Sequence, residues 1–297
     1  MLLPIYYLYL QAETTNIKSI LKNLIIRGLT GAVFVAILVG GVYYNPYTFL
    51  VLFSILTGLL IWEFQSLLKE YFPSKTKRII STAGGIYLFA SAFAYSNGLF
   101  GSSIFLPYMA FILYSFISEL YNKHQNPLIN LAFTLLAQLY CAGSFALANY
   151  IVLVKSADGE ISFTPLFLLA LFVFVWINDT GAYLIGSQFG KHRLFERISP
   201  KKSWEGFWGG MFFALASSLI FSRMVPEISW YNWLGFATTV VCFGTWGDLV
   251  ESLIKRTVGV KDSGKMLPGH GGMLDRFDSI LLAIPAAYIY IELFIRN

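Results

Sequence analysis

Charged side chains are scarce in this chain. Asp, Glu, Lys and Arg make up 12% of its 297 residues, against about 25% in soluble domains. That shortage leaves too little polar material to cover a water-facing surface. Cysteine is rarer still. Cys141 and Cys242 both sit inside apolar runs, which excludes a secreted-type disulfide framework and marks them as small buried hydrophobes. The first ten residues, Met1 to Leu10, are apolar but too short to span a bilayer, and they lack the basic start of a signal peptide. They read as an interfacial segment or an extension of little consequence. No internal repeat or low-complexity segment is evident.

Apolar residues, by contrast, are abundant: 57% of the chain is hydrophobic and 18% aromatic, with a mean hydropathy of +0.64. A bilayer-crossing helix needs about 20 mostly apolar residues. Nine stretches qualify: 24–44, 47–66, 79–96, 99–118, 128–154, 163–187, 204–222, 231–254 and 279–295. The expected fold class is therefore all-α, a polytopic integral membrane protein with about nine transmembrane helices. Asn45-Pro46 and Asn97-Gly98 are turn dipeptides that join antiparallel neighbours. The aromatic content fits lipid contact and interface belts.

The distribution of basic residues gives an orientation. With the N-terminus cytosolic, segments 1–27, 67–78, 119–127, 188–203 and 255–278 face the cytosol and hold 3, 4, 1, 5 and 5 Lys and Arg, 18 of the 21 in the chain. Only Lys155, Arg223 and Arg296 face the other side, as the positive-inside rule asks. Polar residues concentrate late in the chain. Residues 1–162 read as a transmembrane scaffold, and 163–297 as a catalytic region with cytosolic loops 188–203 and 255–278.

The densest polar sequence starts at the cytosolic end of the eighth stretch. Asp248, Glu251, Ser252 and Lys255 are spaced by three, four and seven, so they share one helix face. A carboxylate within a span is costly and points to function, although pairing with an interfacial lysine is the plainer alternative. The next loop holds glycines 269, 271 and 272, which let backbone approach a ligand, and leads into a helix N-terminus, where free amides favour phosphate. Lys255, Arg256, Lys261, Lys265 and Arg276 are cationic partners for phosphate oxygens. Asp275 and Asp278 stand on the first turn of that helix. Carboxylates, glycines and cations together are the parts of a metal–nucleotide site, since Mg²⁺ takes one or two carboxylates and completes its shell with water and phosphates.

The run Ser252-Leu-Ile-Lys255-Arg256, Lys261-Asp262-Ser-Gly264 and Leu267-Pro268-Gly-His270-Gly271-Gly272-Met273-Leu-Asp275-Arg276-Phe277-Asp278 resembles the signature of the phosphatidate cytidylyltransferase (CDP-diacylglycerol synthase) family, bacterial type. Asn178-Asp179-Thr180-Gly181-Ala182-Tyr183, Phe189-Gly190-Lys191-His192 and Ile198-Ser199-Pro200-Lys201-Lys202-Ser203-Trp204-Glu205-Gly206 look like the same family. The likeness is strong over about 175–280. Further upstream it extends only to a hydrophobic scaffold.

The resemblance implies an Mg²⁺-dependent nucleotidyltransferase of the bacterial inner membrane, with its site facing the cytosol. CTP and phosphatidic acid would give CDP-diacylglycerol and pyrophosphate for phospholipid synthesis. It also implies a homodimer, and two metal ions with the identity of the second left open. Asp248 and Asp275 would be the metal-holding carboxylates. Asp278 would ligate, orient Arg276 or stand one layer out. Lys255, Arg256 and Lys261 would bind phosphates, with Gly271, Gly272 and Arg276 beside the substrate. His270 would donate to a phosphate or shuttle a proton, or else be a structural histidine in a glycine turn. Asp179 reads as a group near substrate or metal, with a helix–helix polar contact as the alternative. Lys201 and Lys202 read as collectors of anionic substrate or as topology determinants. Glu63 and His124 read as interfacial polar residues.

Two rivals come from other classes. In an ion-coupled transporter, Asp179 and Asp248 would couple ions, but such charges sit near the midplane and often accompany repeats. A polyprenol kinase-like CTP-using enzyme would need a general base for an alcohol and would leave the signature unexplained.

Overall fold

A computed structural model of the protein describes residues 28–68, 75–122, 126–156, 158–264, 266 and 271–296. The expectations for Met1–Leu10 and His124 lie outside the described residues. Among the described residues, helix forms in each of the nine apolar stretches: α1 Gly28–Tyr43, α2 Pro46–Leu67, α3 Lys75–Ser96, α4 Leu106–Leu120 after a short 3₁₀ turn, α5 Pro127–Val152, α6 Leu166–Phe189, α7 Trp204–Met224, α8 Trp230–Thr257 and α9 Leu274–Phe294. The protein is an all-α polytopic membrane protein. Among the described residues, seven helices are long and apolar enough to cross a membrane. The other two are α1, which is short over its described length, and α8, whose hydropathy is depressed by Asp248 and Glu251.

Local chemistry explains where the helices start and stop. The Asn45 side chain accepts hydrogen bonds from the amides of Tyr47 and Thr48, both at 2.8 Å, and the Thr48 hydroxyl accepts from the Asn45 amide. With Pro46 at the first helical position, this is a reciprocal cap of α2. At the other dipeptide, Gly98 has φ +67° and ends α3 in the left-handed conformation that a side chain resists. Midway along α5, a π-helical turn at Gln138–Gly143 brings the Gln138 amide to the Ser81 carbonyl and hydroxyl.

Two antiparallel ribbons interrupt the helical pattern. Leu153–Lys155 (β1) pairs with Ile161–Phe163 (β2), and Arg193–Phe195 (β3) with Ser199–Ser203 (β4). The second ribbon gives structure to a segment read from sequence only as a basic loop. It is pinned where the Trp204 amide donates to the His192 carbonyl at 2.9 Å.

Packing carries the fold into the site. Phe53 on α2 meets Phe145 on α5 at 5.1 Å between ring centroids, Phe145 meets Phe277 on α9 at 5.4 Å, and Phe277 meets Phe34 on α1 at 5.8 Å. This aromatic chain seats the N-terminal turn of α9 against the first half of the protein. In lipid, helix association depends on close packing rather than on expulsion of water, and α6 and α7 pack accordingly. A Cβ at Gly210 would stand 2.6 Å from the Asn178 carbonyl, so only glycine permits that approach.

Candidate active site

Helix α8 presents the face expected of it. The Ser252 hydroxyl lies 3.2 Å from Asp248 Oδ1, and Lys255 forms an ion pair with Glu251 one turn earlier. The same ammonium reaches Asp275 Oδ1 on α9 at 2.7 Å. Helices α8 and α9 can come this close because a Cβ at Gly247 would lie 2.6 Å from the Asp278 carbonyl.

Asp275 is the most heavily bonded of these carboxylates. Besides Lys255, it accepts from the Ser263 amide at 3.0 Å and the Gly272 amide at 2.8 Å. Gly271 has φ +84°, and a Cβ there would stand 2.7 Å from Asp275 Oδ2. Gly271 and Gly272 thus bring backbone close to a carboxylate of the protein itself. A charge accepting several backbone amides is held in one orientation.

Two cavities meet here. The smaller, about 270 Å³, is walled by Asp179, Asp248, Asp275 and Asp278, with Arg276 at its edge. Helix α1 contributes Thr30, Gly31 and the apolar Phe34 and Val35 to its lining. The larger, about 470 Å³, is lined by the basic residues Arg193, Lys201 and Lys202 and by the start of α7. Asp179 lines both. Lys202 links them, because its ammonium lies 2.5 Å from Asp248 Oδ2. That contact also joins the second ribbon to helix α8.

The second ribbon and the α7 start are built with care. The Ser203 side chain accepts from the Gly206 amide at 3.1 Å and caps α7. Glu205 accepts from the Lys191 and His192 amides, and its carboxylate lies 2.6 Å from His192 Nδ1. These contacts fix the approach of the ribbon that carries Lys201 and Lys202.

The structure therefore gathers Asp179, Asp248, Asp275, Asp278, Arg276, Lys201 and Lys202 around two adjoining chambers, with Lys255 behind Asp275. It does not bring Arg256 or Lys261 to either one. Arg256 donates to the Val260 carbonyl at 2.9 Å, and Lys261 is exposed. His270 lies outside the described residues. Sequence reasoning left Arg193, Asn178 and the Phe34 wall unassigned. It read Glu63 only as an interfacial polar residue and missed its contacts: Glu63 is 4% exposed and accepts hydrogen bonds from the signature loop. The signal was available, since a carboxylate in an apolar helix is itself a functional hint.

The donor set suits a hard divalent cation. Four Asp side chains line one small cavity, and Glu251, fully buried next to them, has an Oε1 without a hydrogen-bond partner. Among the described residues, Lys202, Lys255 and Arg276 are the cations next to these carboxylates. Among the described residues, no three His, Cys, Asp or Glu side chains form a ready-made cluster for a metal. Mg²⁺ takes one or two carboxylates and completes its shell with water and phosphates.

A family model described as "Cytidylyltransferase family" matches residues 25–294. Proteins named phosphatidate cytidylyltransferase from Staphylococcus epidermidis and Staphylococcus aureus are 48% and 49% identical over 121 residues, 40% of this chain. One from Staphylococcus saprophyticus is 40% identical over 179 residues, 60% of this chain. The chain spans 46% of the length of the first two relatives and 64% of the third.

Proposed function

The chain belongs to the cytidylyltransferase family, and from that premise we propose that it joins CTP and phosphatidic acid into CDP-diacylglycerol with release of pyrophosphate. The observation that carries this reading is the pair of adjoining chambers, one basic and one walled by carboxylates, with Lys202 bonded to Asp248 between them.

The two chambers suit two different polyanions. Lys201, Lys202 and Arg193 bind the triphosphate of CTP in the larger one. The smaller one takes the phosphate of the lipid, with Arg276 as its cationic partner and the apolar α1 wall against the glycerol and acyl chains. A phosphate oxygen of phosphatidic acid attacks the α-phosphorus of CTP in line. The bond from that phosphorus to the β-bridging oxygen breaks, and pyrophosphate leaves with the electron pair. The nucleophile is already anionic, so no side chain need remove a proton. The work left to the protein is positioning and charge compensation. Lys255 holds Asp275 in place, and Lys202 holds Asp248. Asp248 and Asp275, with Asp278 beside them, would hold Mg²⁺, which supplies neutralisation of phosphate oxygens when bound.

The reading places the protein in the bacterial inner membrane with this site facing the cytosol, supported by the 18-to-3 asymmetry of basic residues. It includes a homodimer, in keeping with the family resemblance. The 102–120 segment, only 6% buried, leaves a face for lipid or a second copy.

The test is to incubate purified protein with phosphatidic acid, Mg²⁺ and each of the four nucleoside triphosphates in turn, and to identify the lipid product. CDP-diacylglycerol should form with CTP. No liponucleotide with any of the four would overturn the proposal.

A further inference from the structure

Glu63 lies on α2, some two hundred positions upstream of the loop it touches. Its carboxylate accepts the Ser263 hydroxyl proton at one end of the signature loop. At the other end it accepts the Met273 amide at 2.7 Å and, more weakly, the Leu274 amide at 3.4 Å. These amides stand at the N-terminus of α9, where Met273 itself provides no side-chain cap. A helix N-terminus needs acceptors for its free amides and favours negative charge. Glu63 supplies both from a different helix.

The contact is built into the loop from both sides. Any Cβ at Gly272 would collide with Glu63 Oε1 and the Ser263 hydroxyl, and one at Gly264 would come within 3.0 Å of the Glu63 carboxyl. Ser263 is buried too. Its amide donates to the Asp275 carboxylate, and its hydroxyl accepts from the Asp275 amide at 3.3 Å. Glu63 therefore grips the residue that grips Asp275, and it grips the helix turn that carries Asp275.

We propose that Glu63 is a positioning residue: a buried clasp that holds the two ends of the 263–273 loop together and presents Asp275 to the site. The proposal rests on the cytidylyl-transfer reading for its kinetic consequence, but its structural consequence can be read without any substrate.

The experiment uses the full chain in lipid nanodiscs. Glu63→Gln keeps the shape and one acceptor oxygen but replaces the other with a donor, and Glu63→Asp keeps the carboxylate but draws it back. Ser263→Ala removes the bridging hydroxyl by a second route should the Glu63 variants fail to fold. Hydrogen exchange of peptides covering 271–276 is followed by mass spectrometry, and kcat and KM are measured separately. Glu63→Gln should speed exchange at this turn about tenfold or more and lower kcat about tenfold. KM for either substrate should stay within about threefold. Glu63→Asp should recover part of both. Faster exchange in Glu63→Gln, with a wild-type protein that makes no CDP-diacylglycerol, would support the clasp while sinking the reaction assignment. Unchanged exchange at 271–276 in folded Glu63→Gln, or in folded Ser263→Ala if that route is needed, would overturn the clasp whatever the activity.

Discussion

Replacing Lys255 with Met tests the electrostatic plan where it is most concentrated. The Lys255 side chain is 10% exposed, its partner Glu251 0% and its partner Asp275 11%. Surface ion pairs are worth about 0–1 kcal/mol, but these groups are withdrawn from water. Removing one partner of a buried pair typically costs about 3–5 kcal/mol, because the remaining charge is left uncompensated. Here one ammonium serves two carboxylates, so Lys255→Met strands Glu251 and leaves Asp275 with backbone amides but no cation. The expected result is a fall of roughly 5–15 °C in the melting temperature of the detergent-solubilised protein, together with loss of turnover. The double variant Lys255→Met/Glu251→Gln removes one stranded charge and should regain part of the stability but none of the activity. Exposed Lys261→Met serves as control, with a melting temperature within about 2 °C of wild type. A Lys255→Met protein as stable as wild type would refute the reasoning, since it would mean that Glu251 and Asp275 need no cation between them.

Asp248→Asn and Asp275→Asn should each abolish CDP-diacylglycerol formation at ordinary Mg²⁺ concentrations while a folded fraction survives gel filtration; most of the activity remaining in either would remove that carboxylate from the metal. Replacing both Lys201 and Lys202 by Gln should raise KM for CTP about tenfold or more, read from initial rates; a normal KM with disturbed membrane orientation would assign them to topology alone. For orientation, the probe is His192→Cys, since the His192 side chain is 80% exposed whereas Ser203 is buried and caps α7. An impermeant thiol reagent should label it only after the cytosolic face is opened, and labelling in intact cells would reverse the topology.

Features governed by neighbouring residues were legible in the sequence. The spacing of Asp248, Glu251, Ser252 and Lys255 placed them on one face because helical periodicity is a local rule. Asn45-Pro46 and Asn97-Gly98 ended up as helix boundaries because capping and left-handed backbone are properties of the residues themselves. Arg256 shows where composition misleads. It counts as a cation of the signature, but one residue past Lys255 it is turned about 100° around the helix axis, and it bonds the Val260 carbonyl instead. The contacts that define the chambers are non-local. Lys202 to Asp248 joins a ribbon to a distant helix, and Glu63 to Met273 joins the two halves of the chain. Neither pairing leaves a periodic trace, and the α1 wall with Phe34 sits in a stretch that reads only as apolar. The cost of a carboxylate within a span, invoked for Asp248, applied equally to Glu63 and would have singled it out.

Cytidylyl transfer requires that the α-phosphorus of CTP move to the lipid. Two parallel incubations with phosphatidic acid and Mg²⁺, one with CTP labelled at the α-phosphorus and one with CTP labelled at the γ-phosphorus, test it directly. Label should enter the lipid fraction from the α-labelled nucleotide alone, with the γ label leaving as pyrophosphate and none retained on denatured protein. Label entering lipid from the γ position would make the protein a kinase and rule out cytidylyl transfer.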